Sequence, residues 1–186
     1  MPYFVETILD EIERISFIVN EFMVFAKPHS VYFSEFDVKN ILSSVISFLE
    51  PKALLKNVRI KYEFPSEDIV FTGEKNQLKQ VFINLIKNSI EAMPTGGNIY
   101  VSIDSTAHHI LIKIKDEGVG IGEEHVKRLG EPFFTTKHNG NGLGLMVSYK
   151  IIQNHKGTIN VKSKLNQGTS FIITFNKKTK KEAFNL

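Results

Sequence analysis

Ile8, Ile12, Ile15, Val19 and Phe22 recur at spacings of four and three, interleaved with Asp10, Glu11, Glu13, Arg14 and Glu21. That is the stripe of an amphipathic helix, and it stops near Lys27-Pro28. The seam is too narrow to make a core alone, which predicts a partner helix; packing on its own domain is the alternative. Asp37 can cap a second helix carrying Val38, Ile41, Leu42, Val45, Ile46 and Leu49, with Pro51 bending or restarting it. Val58, Ile60, Tyr62 and Phe64 then alternate as a strand closed by Pro65, and a short apolar piece from Ile69 to Phe71 reaches Gly73. From about Glu74 to Met93 the spacing of Leu78, Val81, Phe82, Leu85, Ile86 and Ile90 predicts a long helix, ended by Pro94-Thr95-Gly96-Gly97. Ile99, Val101 and Ile103 mark one strand; Ile110, Ile112 and Ile114 mark another that runs into Asp116. A long irregular, glycine-rich segment leads to a helix over Leu143 to Gln153 and two closing strands, Thr158 to Ser163 and Ser170 to Phe175. The alternation in "ILIKIKD" keeps one sheet face wet, so the helices cover the other: an α/β sandwich with helices on one face of a mixed sheet.

Composition narrows the chemistry. There are 186 residues and no cysteine, which removes disulfide scaffolds, thiolate metal sites and thiol nucleophiles, and fits a reducing compartment. The net charge of +3 is too mild to argue for nucleic acid, because Lys177, Lys178, Lys180 and Lys181 crowd a basic C-terminal tail over 177–186 that reads as a solvated run. No stretch of about 20 apolar residues and no signal peptide is present, so nothing here spans a membrane, although a longer parent protein could.

Three stretches could carry chemistry. In "NLIKN", Asn84 and Asn88 stand four apart on one helix face, where carboxamide oxygens suit a hard cation whose other ligands are phosphates and waters; exposed or capping asparagines are an even alternative. In "DEGVGIG", Asp116 ends a strand and can accept from a purine amino group, while Gly118, Gly120 and Gly122 leave room for a flat ligand; an ordinary glycine turn explains the same residues. In "NGNGLGLMVSYKII", Gly140, Gly142 and Gly144 lead into a helix N-terminus suited to phosphate. Leu143 and Leu145 would anchor that loop, and its spacing is neither that of a Walker loop nor that of a dinucleotide fingerprint.

Taken in order, "QVFINLIKNSIEAM", "DEGVGIG", "EPFFTTK", "NGNGLGLMVSYKII" and "NQGTSF" resemble the N box, first glycine box, F box, second glycine box and glycine-threonine box of the ATP-binding catalytic domain of bacterial sensor histidine kinases. The resemblance covers residues from about 35 to 176 and is nearest in look to the sporulation and nitrogen-regulatory branches. It implies an α+β two-layer sandwich of the Bergerat type over 29–176, with a preceding helix over 1–28 as the second helix of a dimerization and histidine-phosphotransfer hairpin. Carried over by position, Asn84, Asn88 and Lys137 would be the catalytic groups: both amides face the phosphates, Asn88 ligates Mg²⁺ and Lys137 meets the γ-phosphate. Asp116 would bond the adenine amino group, with Thr169 supporting it. Gly118 and Gly120 would shape the base pocket, and Gly140, Gly142, Leu143, Gly144 and Leu145 would hold the triphosphate. The implied ligands are ATP and Mg²⁺. The implied partners are the histidine-bearing hairpin helix, a response regulator and, at full length, a second copy. The implied location is cytoplasmic, with an upstream anchor left open.

Hydrolysing members of the superfamily place a glutamate where this chain has Asn84, an amide without useful basicity, so the site should position ATP without activating water. Glu91 reads as local support on the helix. None of His29, His108, His109, His125, His138 or His155 has the neighbours of the family's phosphoacceptor, so the acceptor is expected outside this chain and the chain is expected to be a fragment. A serine kinase of the anti-sigma-factor type, an ATP-driven clamp and a non-catalytic docking module are the competing readings; Asn84, the N-terminal stripe and the intact boxes stand against them.

Overall fold

The computed structural model describes residues 32–137 and 142–177. The predicted helix over 1–28, with His29, therefore lies outside the described residues, as do His138, Gly140 and the tail beyond Lys177. The elements in order are β1 (Ser34–Asp37), α1 (Val38–Leu55), β2 (Val58–Glu63), β3 (Val70–Gly73), α2 (Lys75–Glu91), β4 (Gly97–Ser105), β5 (His109–Asp116), α3 (Glu123–Val126), α4 (Gly144–Asn154), β6 (Thr158–Ser163) and β7 (Thr169–Asn176).

A five-stranded sheet in the order β2-β4-β5-β7-β6 is mixed: β2 runs parallel to β4 and the other neighbours are antiparallel. Period-two alternation decides its faces. Ile99, Val101 and Ile103 of β4, Ile110, Ile112 and Ile114 of β5, and Phe171, Ile173 and Phe175 of β7 are all buried. They meet Val38, Ile41, Leu42 and Val45 of α1, Leu78, Phe82, Leu85 and Ile86 of α2, and Val147, Ile151 and Ile152 of α4 in one core. The opposite face carries Tyr100, Lys113 and Lys115. This is the two-layer arrangement the pattern predicts, and its consequence for function lies at the end of β5. Asp116 continues the inward series of Ile110, Ile112 and Ile114, and so sits in a core-facing position that period two reserves for a hydrophobe.

Two local expectations are revised. Pro51 neither ends nor restarts α1, which continues to Leu55. Pro51 and Ser47 are both exposed, so the Ser47 carbonyl that loses its helical partner faces water. The apolar piece at 69–73 is also more than a connector: β3 pairs antiparallel with β1, Ser34 opposite Gly73 and Asp37 opposite Val70. Asp37 then serves two elements, since its Oδ1 accepts from Lys39 N at 3.0 Å as the cap of α1 and from Ile69 N at 3.2 Å.

His155 fastens the far end of the helical layer. Its Nε2 accepts the Glu74 N–H at 2.9 Å, which places the ring proton on Nδ1, donating to the Ile151 carbonyl at 2.7 Å. The buried ring lies 5.2 Å from that of Phe33. Burial holds its pKa below the ordinary histidine value, against smaller opposing effects of the Ile151 carbonyl and Glu74. An unfolded chain takes up this proton near pH 6.5 and the native chain only at lower pH, so the stabilisation is complete above the unfolded value and is lost as pH falls from there through the lower native one. The urea midpoint should therefore drop between about pH 7.5 and about 5.5. A His155→Phe variant should be less stable at neutral pH, because the Glu74 N–H loses its acceptor, but should show a flatter pH dependence; an equally steep decline would contradict this.

Candidate nucleotide-binding site

The site is organised by α2, which starts at the side-chain cap of Glu74 on Asn76 N and Gln77 N and buries one face against the sheet. Asn84, Asn88, Ser89 and Glu91 stand on this one helix, and Ala92 follows as its C-cap. They fall into two groups.

The first surrounds Asp116, which is 1% exposed. Its Oδ1 accepts from Gly118 N and from Thr169 N, each at 3.0 Å, and its Oδ2 accepts from Ser89 Oγ at 3.0 Å. A carboxylate oxygen has two lone pairs, so Oδ1 is filled and Oδ2 keeps one that no donor among the described residues takes. Burial raises the Asp116 pKa above the usual carboxylate range, opposed in turn by the Gly118, Ser89 and Thr169 hydrogen bonds. Behind it, Ser163 Oγ donates to the Gly168 carbonyl at 3.0 Å and accepts from Ile121 N at 2.8 Å. With its proton so committed, Ser163 Oγ takes its 2.9 Å contact with Thr169 Oγ1 as an acceptor. Thr169 thus supports Asp116 through its backbone and is itself fixed through its hydroxyl.

The glycines around this acid are there for room. A Cβ on Gly118 would come within 2.6 Å of the Ala92 carbonyl oxygen. On Gly120 (φ +69°) it would come within 2.0 Å of the Lys164 carbonyl, and on Gly168 (φ +81°) within 2.0 Å of the Asp116 carbonyl. Close backbone approach and left-handed geometry therefore both require glycine at the last two. The loop is sewn to its neighbours by Val119 N to the Ala92 carbonyl at 3.0 Å and Asn166 N to the Val119 carbonyl at 2.7 Å.

The second group joins α2 to α4 and to the end of the F-box segment. Asn84 is 5% exposed, and its Nδ2 donates to the Gly144 carbonyl at 3.2 Å and reaches Ser148 Oγ at 3.5 Å. Asn84 thus braces the first turn of α4. Asn88 is half-buried, and its Oδ1 accepts from Lys137 Nζ at 2.8 Å, while the same ammonium meets Glu91 Oε2 at 2.6 Å. Gly142 (φ +68°) packs on the backbone of Phe133, where a Cβ would lie 2.3 Å from the carbonyl carbon. Leu143 is buried and Leu145 packs against the core, the anchoring expected of them.

Of the sequence-predicted residues, Asp116, Gly118 and Thr169 form one group, Asn84, Asn88, Lys137 and Gly144 the other, and Gly120, Gly142, Leu143 and Leu145 line the connections. Gly140 lies outside the described residues. Sequence reasoning missed Ser89, Ser148 and Ser163. Ser89 could have been found, being a buried-face position one residue past Asn88; the other two leave no signal in spacing. The chemistry of the donor set fits a hard cation at Asn88, because a cation, the Lys137 ammonium, already rests on that carboxamide oxygen. No cluster of three or more His, Cys, Asp or Glu able to hold a metal occurs among the described residues.

A strand-end acid with one free lone pair, a glycine cradle beside it, and a helix bearing amides toward a second glycine loop define an ATP-binding domain of the Bergerat type. The chain belongs to the histidine kinase-, DNA gyrase B- and HSP90-like ATPase family, whose model matches residues 73–179. It is 49% identical over 168 residues to sporulation kinase E of Bacillus subtilis (strain 168), covering 90% of this chain and 23% of that protein. With sporulation kinase A of the same organism it shares 42% over 177 residues, covering 95% of this chain and 29% of the relative. Among solved structures, the catalytic domain of histidine kinase ThkA in a nucleotide-free form superposes with a TM-score of 0.72 at 33% identity, covering 78% of this chain and 96% of that one. ThkA in complex with response regulator protein TrrA gives 0.78 at 29% identity, covering 94% of this chain and 51% of that one. The likeness to the catalytic domain of sensor histidine kinases, near the sporulation kinases, therefore stands, and the chain spans about a quarter of the length of those two sporulation kinases. Among the described residues no helix is long and apolar enough to cross a membrane.

Proposed function

We propose that this chain is the Mg·ATP-binding catalytic part of a two-component sensor histidine kinase, passing the γ-phosphoryl group to a histidine on another polypeptide segment for relay to a response-regulator aspartate. The observation that carries the reading is the Asp116 carboxylate, buried at a core position with three donors satisfied and one lone pair left beside a glycine cradle. An adenine amino group is a donor of the right kind, and the glycine backbone admits a flat ring. Asn88 would hold Mg²⁺, which when bound offsets charge on the β- and γ-phosphates. Lys137 supplies a second cation to the same phosphates, and Gly142 and Gly144 bring backbone close to them. Asn84 fixes the first turn of α4 and has no basicity with which to activate water, so the site orients ATP and leaves the nucleophile to come from elsewhere. In the transfer, an imidazole nitrogen forms a bond to the γ-phosphorus, the bond to the β-bridging oxygen breaks, ADP leaves and the imidazole proton passes to solvent.

The division into a hairpin helix over 1–28, an ATP-binding domain over 29–176 and a basic tail over 177–186 belongs to this proposal. So do a second copy at full length and a cytoplasmic setting. The complex of ThkA with its response regulator supports the partner class. The test mixes this chain with a hairpin-helix polypeptide bearing the acceptor histidine and γ-labelled ATP. Acid-labile label on that histidine is expected; ATP binding with no label on it would overturn the transfer.

A further inference from the structure

The Lys137 ammonium bridges two positions of α2 from a segment 46 and 49 residues away, meeting Glu91 Oε2 at 2.6 Å and Asn88 Oδ1 at 2.8 Å. The pair is partly shielded, with side-chain exposures of 40% and 28%, so its attraction is less screened than that of a fully exposed pair. The start of the lysine stem is also fixed, since Lys137 N donates to Thr135 Oγ1 at 3.1 Å. An ammonium has three N–H donors. Two are used here, and the third has no partner among the described residues. Lysine is otherwise a flexible point charge on a four-carbon stem, and a ligand that had to order it would bind more weakly for doing so.

We propose that Glu91 is a positioning residue for nucleotide recognition: its carboxylate holds the Lys137 ammonium beside Asn88, so that the remaining N–H is ready for the terminal phosphate of ATP. This rests on the reading of the site given under Proposed function. When a cation takes the Asn88 oxygen, Lys137 gives up that bond and keeps Glu91, freeing a second N–H for the phosphate while remaining in place. Glu91 has no basic role in this scheme and touches no reacting atom.

Electrostatics alone predicts the opposite outcome, which makes the proposal testable. Removing a negative charge near a polyanion should tighten binding of every nucleotide, ATP slightly more than ADP. Loss of positioning should instead weaken ATP selectively, because ADP lacks the phosphate that Lys137 is held to meet. Dissociation constants for ATP and ADP in magnesium buffer would be measured by calorimetry for the wild type, Glu91→Gln, Lys137→Met, Glu91→Asp and the Glu91→Gln/Lys137→Met double variant. The preference for ATP over ADP is expected to fall about tenfold in Lys137→Met and about threefold to tenfold in Glu91→Gln. Glu91→Asp should keep part of it, and the double variant should match Lys137→Met alone. A preference that is unchanged or raised in Glu91→Gln, with Lys137→Met reduced, would overturn the role of Glu91 and leave the site reading intact. A preference unchanged in Lys137→Met would overturn both this proposal and the placement of Lys137 at the terminal phosphate.

Discussion

Asp116→Asn is expected to weaken ATP binding by about 2–3 kcal/mol, roughly 30- to 150-fold, without lowering the stability of the fold. Asparagine fits the position. Its carbonyl oxygen can still accept from Gly118 N and Thr169 N, and its Nδ2 can donate to Ser89 Oγ, which turns from donor to acceptor. What changes is the one lone pair left over on Oδ2, replaced by an N–H that meets an adenine amino group donor to donor. Binding sites built to pair a polar group reject a mismatched partner strongly, because neither member finds another partner once water is excluded. Stability moves the other way. Burial raises the Asp116 pKa, so the native state holds its proton to higher pH than the unfolded chain. The stability this confers is present at acid pH and lost as pH rises through the native pKa, leaving at neutral pH a buried charge that its three hydrogen bonds offset only in part. A neutral amide removes that cost. Calorimetry and urea unfolding at neutral pH would check both halves: the expected result is weak binding with an unfolding midpoint at or above that of the wild type. Unchanged affinity would remove Asp116 from base recognition.

Gly168→Ala should lower the unfolding free energy by about 3–5 kcal/mol, the largest effect expected of a glycine among the described residues apart from Gly120. At φ +81° an L-residue is strained in any surroundings, and the added Cβ would sit 2.0 Å from the Asp116 carbonyl oxygen and 2.8 Å from its carbonyl carbon. Both walls are backbone, so neither can turn aside as a side chain would. Relief requires the end of β5 to part from the start of β7, breaking the Thr169 N–H bond to Asp116 and the Ser163 bond to the Gly168 carbonyl. Gly122→Ala is the internal control. Its φ is −64°, and the nearest obstacle is the exposed Glu124 carboxylate, 2.5 Å away and free to swing aside. It should change stability by no more than about 0.5 kcal/mol. Comparable losses in the two variants would show that the close approach at Gly168 is not what limits the turn.

How much of this was legible in the sequence depends on which physical signal each part leaves. Long stretches with strong periodicity, such as 74–93 and 110–116, placed α2 and β5, because burying one face of an element repeats every turn or every second residue. The two-stranded sheet of β1 and β3 was not legible, since four residues are too few to show alternation and the pairing joins segments about 35 residues apart. Pro51 was readable only as a bend or a restart, and the helix runs through it to Leu55 without restarting, because on this exposed face the freed carbonyl can turn to water. At the site, glycines and a strand-end acid stood out because their residue types are unusual at those positions. The hydroxyls of Ser89, Ser148 and Ser163 did not, since serine is common in every environment and its role here follows from neighbours distant in sequence. The Glu91–Lys137 pair was hidden in the same way, with each residue recognisable alone as helix support or phosphate contact and only the fold bringing them together.

One nucleotide would touch both groups of residues, the Asp116 group beside Ser89 and the Lys137 group beside Asn88, along the C-terminal half of α2. A crystal structure of this chain with a non-hydrolysable ATP analogue and magnesium tests that most directly. The adenine amino group is expected within hydrogen-bonding distance of Asp116 Oδ2, magnesium on Asn88 Oδ1, and the terminal phosphate on Lys137. A nucleotide bound on the lysine-bearing face of the sheet, or bound near α2 with its base away from Asp116, would contradict it.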